Sequence, residues 1–528
     1  MTEVTRDVIE KRIFGIETEF GTTIEIEPLM GEHRNKFLLS FLPARMELSP
    51  WGDVNSRAPR LMLPNQGCLY IDAGAGEHLE YATPECEGAQ EAVRYETVGL
   101  ALVARGIRKF SRAYPDLPRP FFSKTNRNAR YSESGLSQAC QGSHANLLTL
   151  RRLDLKTIQQ CLAPFLLSRP CITGNGWIKF HTDGSLQFLL SQRLDVTKKL
   201  WDEPLRGDKK PLFNSRDTVY ADPEKWSRFH DVSGDANMSE WQLFLKYASL
   251  DMVFAMIEDG FLISRCPPSL VTKAGAVKHI ASVLNREPFV WPRAQWGDGR
   301  EWNALNWQYF YCESAQEFFR SGRAPLTEER KRALDMWTKI LDALSRADVL
   351  FLRRYLDWAA LWSYAIEPKL ERAGLDPHAL VVLPENQTKR VRFDTLIPAR
   401  PGKIKLIDFL LSLFVSYANV EISDGIYGLL LRQGMMEHMF SDFFIEEALF
   451  QTPQHTRARW RALGLRLIAQ LGRRHKKVRF RSLDWQSIIF YDGCERVTLE
   501  NDNPYRWSLN KDDKEIFRSR GLGTPSKK

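Results

Sequence analysis

The chain has 528 residues, 43% hydrophobic and 26% charged, ordinary globular values that exclude disordered, collagenous and low-complexity classes. Its most apolar stretch, Leu406 to Val415, contains Asp408 and falls well short of the about 20 residues a membrane span needs, and Met1 to Arg12 mixes acids and bases without the apolar core of a secretory signal. The 74 Lys and Arg against 65 Asp and Glu leave +9, a mild basic excess that fits an acidic partner or phosphates; no motif of known groove geometry goes with it, so neither nucleic acid nor a membrane is expected as partner.

In chain order, residues 12–27 read as a long strand, dense in β-branched and aromatic residues, with Ile24 and Ile26 alternating against Glu25 and Glu27. A proline-broken stretch follows, then a second strand from Cys68 to Asp72 closed by Ala73-Gly-Ala-Gly76. Amphipathic spacing predicts helices over 89–113 and 155–168, and Thr182-Asp-Gly184 predicts a hairpin between Trp177–His181 and Leu186–Ser191. Ser239 to Asp259 reads as a helix ended by Gly260, and 326–373 as helical. The last hundred residues alternate short helices (443–449, 456–472) with strands near 477–481 and 486–491, before a polar tail from about 515 that is expected to fray. The length fits two domains, taken as 1–430 and 431–514, and a flexible tail over 515–528. The basic tract Arg457 to Arg481 reads as a solvated helix end or as an electropositive wall for an acidic ligand.

Eight cysteines are scattered without a CxxC pair, and the ten histidines form no HxH or HExxH, so neither a disulfide framework nor a classical zinc site is expected. Reduced thiols fit a cytoplasmic protein. No P-loop is present and no GxGxxG follows a strand. A nucleotide bound here would therefore lie on a sheet, held through metal and arginines.

Glu17 and Glu19 are two apart on a strand, so their side chains share a face. Like charges side by side are unfavourable unless a cation lies between them, and a hard cation such as Mg²⁺ takes carboxylate oxygens while keeping phosphates and water. Tyr70, Asp72 and Glu80 add oxygen donors. A solvated polar sheet face explains the same pattern without a metal.

Several segments, in order, are similar to the Pup–protein ligase family, which also contains the Pup deamidase/depupylase: Gly15-Ile-Glu-Thr-Glu-Phe-Gly21, Leu69-Tyr-Ile-Asp72, Glu80-Tyr-Ala-Thr83, Pro84-Glu-Cys86, Gly142-Ser-His-Ala-Asn146, Asn214-Ser-Arg-Asp217, Ala221 to His230, Gly234 to Glu240, Thr456-Arg-Ala-Arg459 and Asp484-Trp485. The resemblance implies an α+β, glutamine-synthetase-like fold, with a curved antiparallel sheet backed by helices and a small C-terminal α/β domain. It implies ATP and Mg²⁺ as cofactors. It further implies a reaction joining the C-terminal glutamate γ-carboxylate of a Pup-like acidic tag to lysines of protein substrates, a mark read by the proteasome. Carried over, Glu17, Tyr70 and Glu80 match metal positions, Asp72 the catalytic base, and Thr83 and Trp485 contacts to ATP. Glu19, Asn146, Arg216 and Arg457 are further candidate contacts.

The chain departs from the family's pattern at Cys68, where an arginine that meets ATP is usual. It also departs at Ala145, where a glutamate is usual, at Thr218-Val219-Tyr220, and by two residues inserted between Asp72 and Glu80. The short interval between Gly21 and Leu69 is closer to the ligase branch, with the deamidase/depupylase as the alternative. A non-catalytic tag-binding scaffold is the alternative of another class.

Overall fold

The computed structural model describes residues 10–22, 60–72, 78–117, 119–127, 131–132, 135–136, 140–150, 154–180, 186–202, 210–215, 220–266, 276–286, 288–297, 299–372 and 406–522. A ten-stranded sheet organises the larger part. Its middle is β1 (Ile13–Thr22), flanked by the strand Ser143–Leu150 on one side and on the other by β4 (His78–Ala82), with β3 (Cys68–Asp72) and the short edge strand β2 (Arg60–Met62) beyond. Past Ser143–Leu150 come Trp226–Asp231, Lys210–Ser215 and Thr197–Asp202. Pairing is antiparallel except for the last two strands, which run parallel at the far edge. The expected α+β sheet is thus present, with one parallel pair added.

Period-two alternation explains which face is buried. Phe14, Ile16 and Phe20 of β1 are essentially inaccessible, as are Leu147, Leu69, Leu79 and Tyr81 on its neighbours, and together they form the core with the backing helices. The helix Gly88–Ala113 lays an apolar stripe on this face. Behind it, the helix Glu240–Glu258 is buried nearly all round, with Ser239 as its N-cap accepting from the Gln242 backbone N–H. Arg12, at the start of β1, is tied to that helix by ion pairs to Asp251 (2.7 Å) and Glu258 (2.6 Å). The expected helices over 89–113, 155–168 and 239–259 and the hairpin Trp177–Phe180/Leu186–Leu189 lie where the sequence puts them. Residues 23–27 and 73–76 lie outside the described residues.

A second, separate core gathers Trp460, Leu465, Ile468, Leu471, Ile488, Phe490, Leu499 and Phe517. It is built by the helix Arg457–Arg474, the three-stranded sheet Val478–Leu483, Ser487–Asp492 and Glu495–Glu500, and the helix Lys511–Arg518. The first core reaches Leu449, so the two divide later than at residue 430. Nor does the chain fray at 515: Asn510 caps the last helix, and Phe517 and Leu522 are buried in the second core. Polar composition concealed this helix because only one side of it is apolar. Arg473, Arg474, His475 and Lys476 are exposed at the C-terminal end of their helix, where positive charge is favourable. All eight cysteines are free thiols. Among the described residues, no helix is long and apolar enough to cross a membrane.

Candidate active site

The odd-numbered residues of β1 point away from the core, onto a polar sheet face. Strand register sets their neighbours. One rung runs Glu19–Glu80–Tyr70–Arg60 across four strands, and the next runs Glu17–Ala82–Cys68–Met62. On the other side of β1, Glu17 pairs with His144, and Gly15 leads through Asn146 to His230 and Asn214. A carboxylate directly opposite another, as Glu19 is to Glu80, is unfavourable without a counter-charge.

Two groups of donors converge on this face. Glu19, Asp72 and Glu80 bring carboxylate oxygens within 4.8 Å of one another, and Glu17, His144 and His230 do the same with one carboxylate and two imidazoles. Glu19 also accepts the Gly142 backbone N–H at 2.7 Å. His144 Nδ1 lies 3.4 Å and His230 Nε2 3.7 Å from Glu17 Oε2, the two rings meeting edge to face at 5.0 Å between centroids.

Glu17 and Glu80 are shifted in opposite directions. Burial alone would raise Glu17, but its hydrogen bond to His144 and the charges of His230 and Arg228 hold it well below the usual carboxylate range. Glu80 is pushed well above that range by burial first and by the charges of Glu17 and Glu19 next. Tyr70, hydrogen-bonded to Glu80, is raised by burial and by the charges of Glu80 and Glu17, so its phenol keeps its proton. A buried carboxyl held up by its neighbours' charge is relieved when a cation enters. Three converging oxygens fit a hard divalent cation such as Mg²⁺.

Beside these groups a cleft opens between the sheet and the C-terminal unit, lined by Glu17, Thr83, Asn146, Arg228, Arg457 and Trp485 among others. Trp485 lies between the strands Val478–Leu483 and Ser487–Asp492. With Leu483 it packs on Met62, Cys68 and Ala82. Thr83 is almost fully buried, its hydroxyl oxygen accepting the Ile16 N–H at 3.0 Å. Asn146 donates to the Gly15 carbonyl at 3.3 Å, while its buried Oδ1 has no partner among the described residues, an acceptor left open to a ligand.

Arg457 does not offer a free guanidinium. Its Nε and Nη2 reach Glu85 Oε1 at 3.0 and 2.9 Å, and Nη1 donates to the carbonyls of Tyr220 (2.6 Å) and Asn501 (3.0 Å). Arg461 clasps the same Glu85 and donates to the Trp485 carbonyl at 2.9 Å, with its guanidinium 5.1 Å from the Trp485 ring centroid. Burial would raise Glu85, but Arg461 and Arg457 hold it at about 2. This clamp joins the two units and positions the indole. Arg457 is therefore a positioning residue, and the basic tract that looked like surface begins with a buried ion pair.

Arg216 lies outside the described residues, as do Thr218 and Val219. The structure brings Glu17, Glu19, Tyr70, Asp72, Glu80, Asn146, Thr83 and Trp485 onto or beside one sheet face. It separates Glu17 from Glu80 into different donor groups and adds His144 and His230, which sequence reading quoted but did not nominate. Their signal was alternation: His144 and Asn146 are two apart, as Glu17 and Glu19 are. Cys68 is buried, its thiol pushed up to about 12 by burial, so that place on the face is uncharged.

Two solved structures share the overall fold. One described as the complex between the prokaryotic ubiquitin-like protein Pup and its ligase PafA matches with TM-score 0.73 and 24% identity, over 98% of this chain and 94% of that one. A second, the Pup ligase PafA in complex with ADP, matches with TM-score 0.69 and 23% identity over 95% and 96%. The fold is theirs. The chain belongs to the Pup-ligase family, whose model, described as "Pup-ligase protein", matches residues 12–380. Among relatives named Pup–protein ligase, that of Kineococcus radiotolerans is 29% identical over 503 residues (94% of this chain, 96% of that one) and that of a Nocardioides species 28% identical over 509 residues (94% and 97%).

Proposed function

We propose that the chain is an ATP- and Mg²⁺-dependent ligase that joins the C-terminal glutamate γ-carboxylate of a Pup-like acidic tag to lysines of protein substrates, marking them for a proteasome. The observation that carries this reading is the pairing of two donor groups with a cleft bounded by Trp485, on the fold of a family whose named relatives are Pup–protein ligases. Trp485 and Thr83 would bind the adenosine end. Glu19 and Glu80, with Tyr70 beside them, would hold Mg²⁺ on one side, and Glu17, flanked by His144 and His230, on the other. When bound, Mg²⁺ would neutralise phosphate charge so that an anionic carboxylate can approach it.

A γ-carboxylate oxygen of the tag attacks the terminal phosphorus of ATP, ADP leaves, and a γ-glutamyl phosphate forms. A substrate lysine then attacks the γ-carbonyl carbon, phosphate leaves, and an isopeptide bond forms. The lysine must give up a proton, and Asp72, on the same face and partly exposed, would take it. The eight free thiols support action in the reducing cytoplasm.

The test mixes the full chain with a glutamate-terminated Pup-like tag, a lysine-bearing protein, Mg²⁺ and ATP. The expected result is a conjugate formed only with ATP, with ADP released in step. Conjugate that disappears instead, or a glutamine-terminated tag that is deamidated without ligation, refutes the ligase and makes the chain a depupylase.

A further inference from the structure

A polyanion seated beside Glu17, Glu19, Asp72 and Glu80 needs positive charge from the protein as well as from metal. The arginines around the cleft differ in what they already hold. Arg457 and Arg461 both clasp Glu85. Arg228 lies over the Tyr220 ring at 5.3 Å and bears on the charge of Glu17. Arg60 is different. It stands on the edge strand β2, exposed, directly across from Tyr70, with its guanidinium carbon 5.7 Å from the centre of the Tyr70 ring. Among the described residues, no hydrogen bond or ion pair engages it, although Glu80 is in the same rung.

The ring contact fixes where this cation rests. It draws the guanidinium inward over β3, along the rung that ends in Glu80 and Glu19. The neighbouring rung carries Cys68 and Met62, on which Trp485 packs. Five N–H donors, without polar partners among the described residues, therefore stand on the rung of Tyr70 and Glu80, next to the rung on which the indole packs. A planar guanidinium of this kind matches phosphate oxygens two at a time.

We propose that Arg60, held over Tyr70 beside the Glu19–Asp72–Glu80 group, forms a phosphate subsite for the nucleotide. The proposal rests on the nucleotide cleft of the preceding section. It assigns a ligand to a residue that neither the family motifs nor the cleft lining had marked.

The test measures binding of Mg²⁺–ADP and of adenosine to the full chain by calorimetry, in the unaltered protein and in Arg60→Ala, Arg60→Lys and Arg60→Glu. A lost charge-assisted contact weakens ADP by about tenfold to a hundredfold in Arg60→Ala. The loss is larger in Arg60→Glu and partly restored in Arg60→Lys, while adenosine binding and the thermal midpoint stay unchanged. ADP affinity should also depend less steeply on salt once the cation is gone. Unchanged ADP affinity in Arg60→Ala overturns the subsite. Equal losses for ADP and adenosine overturn it too, leaving Arg60 as a support for Tyr70. If the unaltered chain binds no ADP, the nucleotide reading itself fails before any substitution is made.

Discussion

Replacing Glu85 with glutamine keeps the shape of the interdomain clamp and removes its charge. Two guanidinium groups, 3% and 0% exposed, then lose their common carboxylate. Two routes give the magnitude. Breaking a buried ion pair by removing one partner costs about 3–5 kcal/mol. Independently, Glu85 sits at about 2 against an ordinary 4.5, which at about 1.4 kcal/mol per unit is about 3 kcal/mol of stability. A carboxyl whose folded value is depressed contributes fully above 4.5 and loses that contribution as pH falls from 4.5 toward 2. Denaturant unfolding followed by tryptophan fluorescence should therefore show Glu85→Gln destabilised by about 3 kcal/mol at pH 7. The gap from the unaltered chain should close between pH 4.5 and 2. Nucleotide affinity should fall as well, because Arg461 then no longer fixes the Trp485 carbonyl. A difference under about 0.5 kcal/mol at pH 7, the range of neutral surface changes, would refute the clamp.

Glu17→Ala should abolish Mg²⁺–ATP-dependent turnover while the chain remains folded; normal turnover would remove Glu17 from the site. Asp72→Asn should cut conjugate formation by roughly 10²–10⁴-fold while leaving nucleotide affinity near normal. Full loss of nucleotide affinity would instead place Asp72 among the cation's ligands with Glu19 and Glu80. Tag affinity should decline as salt rises, since screening acts over about 8 Å at physiological ionic strength. A flat response would make the +9 charge irrelevant to the tag.

Local patterns were legible in the sequence, and distant partnerships were not. Alternation in residues 13–22 already separated Glu17 and Glu19 from Phe14, Ile16 and Phe20, because a strand side chain's face depends only on its parity. Ser239 and Gly260 marked the ends of the central helix through local capping chemistry. Nothing local says that His144 and His230 will flank Glu17, since that follows from the order in which strands join the sheet. Nor does it say which basic residues are buried. Arg457 and Arg461 sit in an arginine-rich helix that looks like surface, and their fate depends on Glu85, more than 350 residues earlier. The strand Glu495–Glu500 was missed because its ends are charged and only Val497 and Leu499 reach the core.

The same strand that presents the acids also explains how they can be held so close together. Crowding Glu17, Glu19 and Glu80 onto one face of β1 and β4 requires a backbone held firmly from behind. Behind β1, the Thr18 hydroxyl reaches Glu96 at 3.4 Å. Glu96 in turn takes the Lys124 ammonium at 2.5 Å and the Tyr247 hydroxyl at 2.6 Å, all essentially inaccessible. Burial would raise Glu96, but Lys124 and Lys246 keep it below its ordinary value, so it remains a carboxylate. An ionised, fully paired group in a low-dielectric interior is costly to displace, because any shift leaves a charge unpaired. Thr18 lies between Glu17 and Glu19 on the opposite face, so this network anchors the strand at the point where the acids crowd together. The acids are thereby held in register while Glu80 keeps its proton, and a divalent cation entering the Glu19–Asp72–Glu80 group would displace that proton.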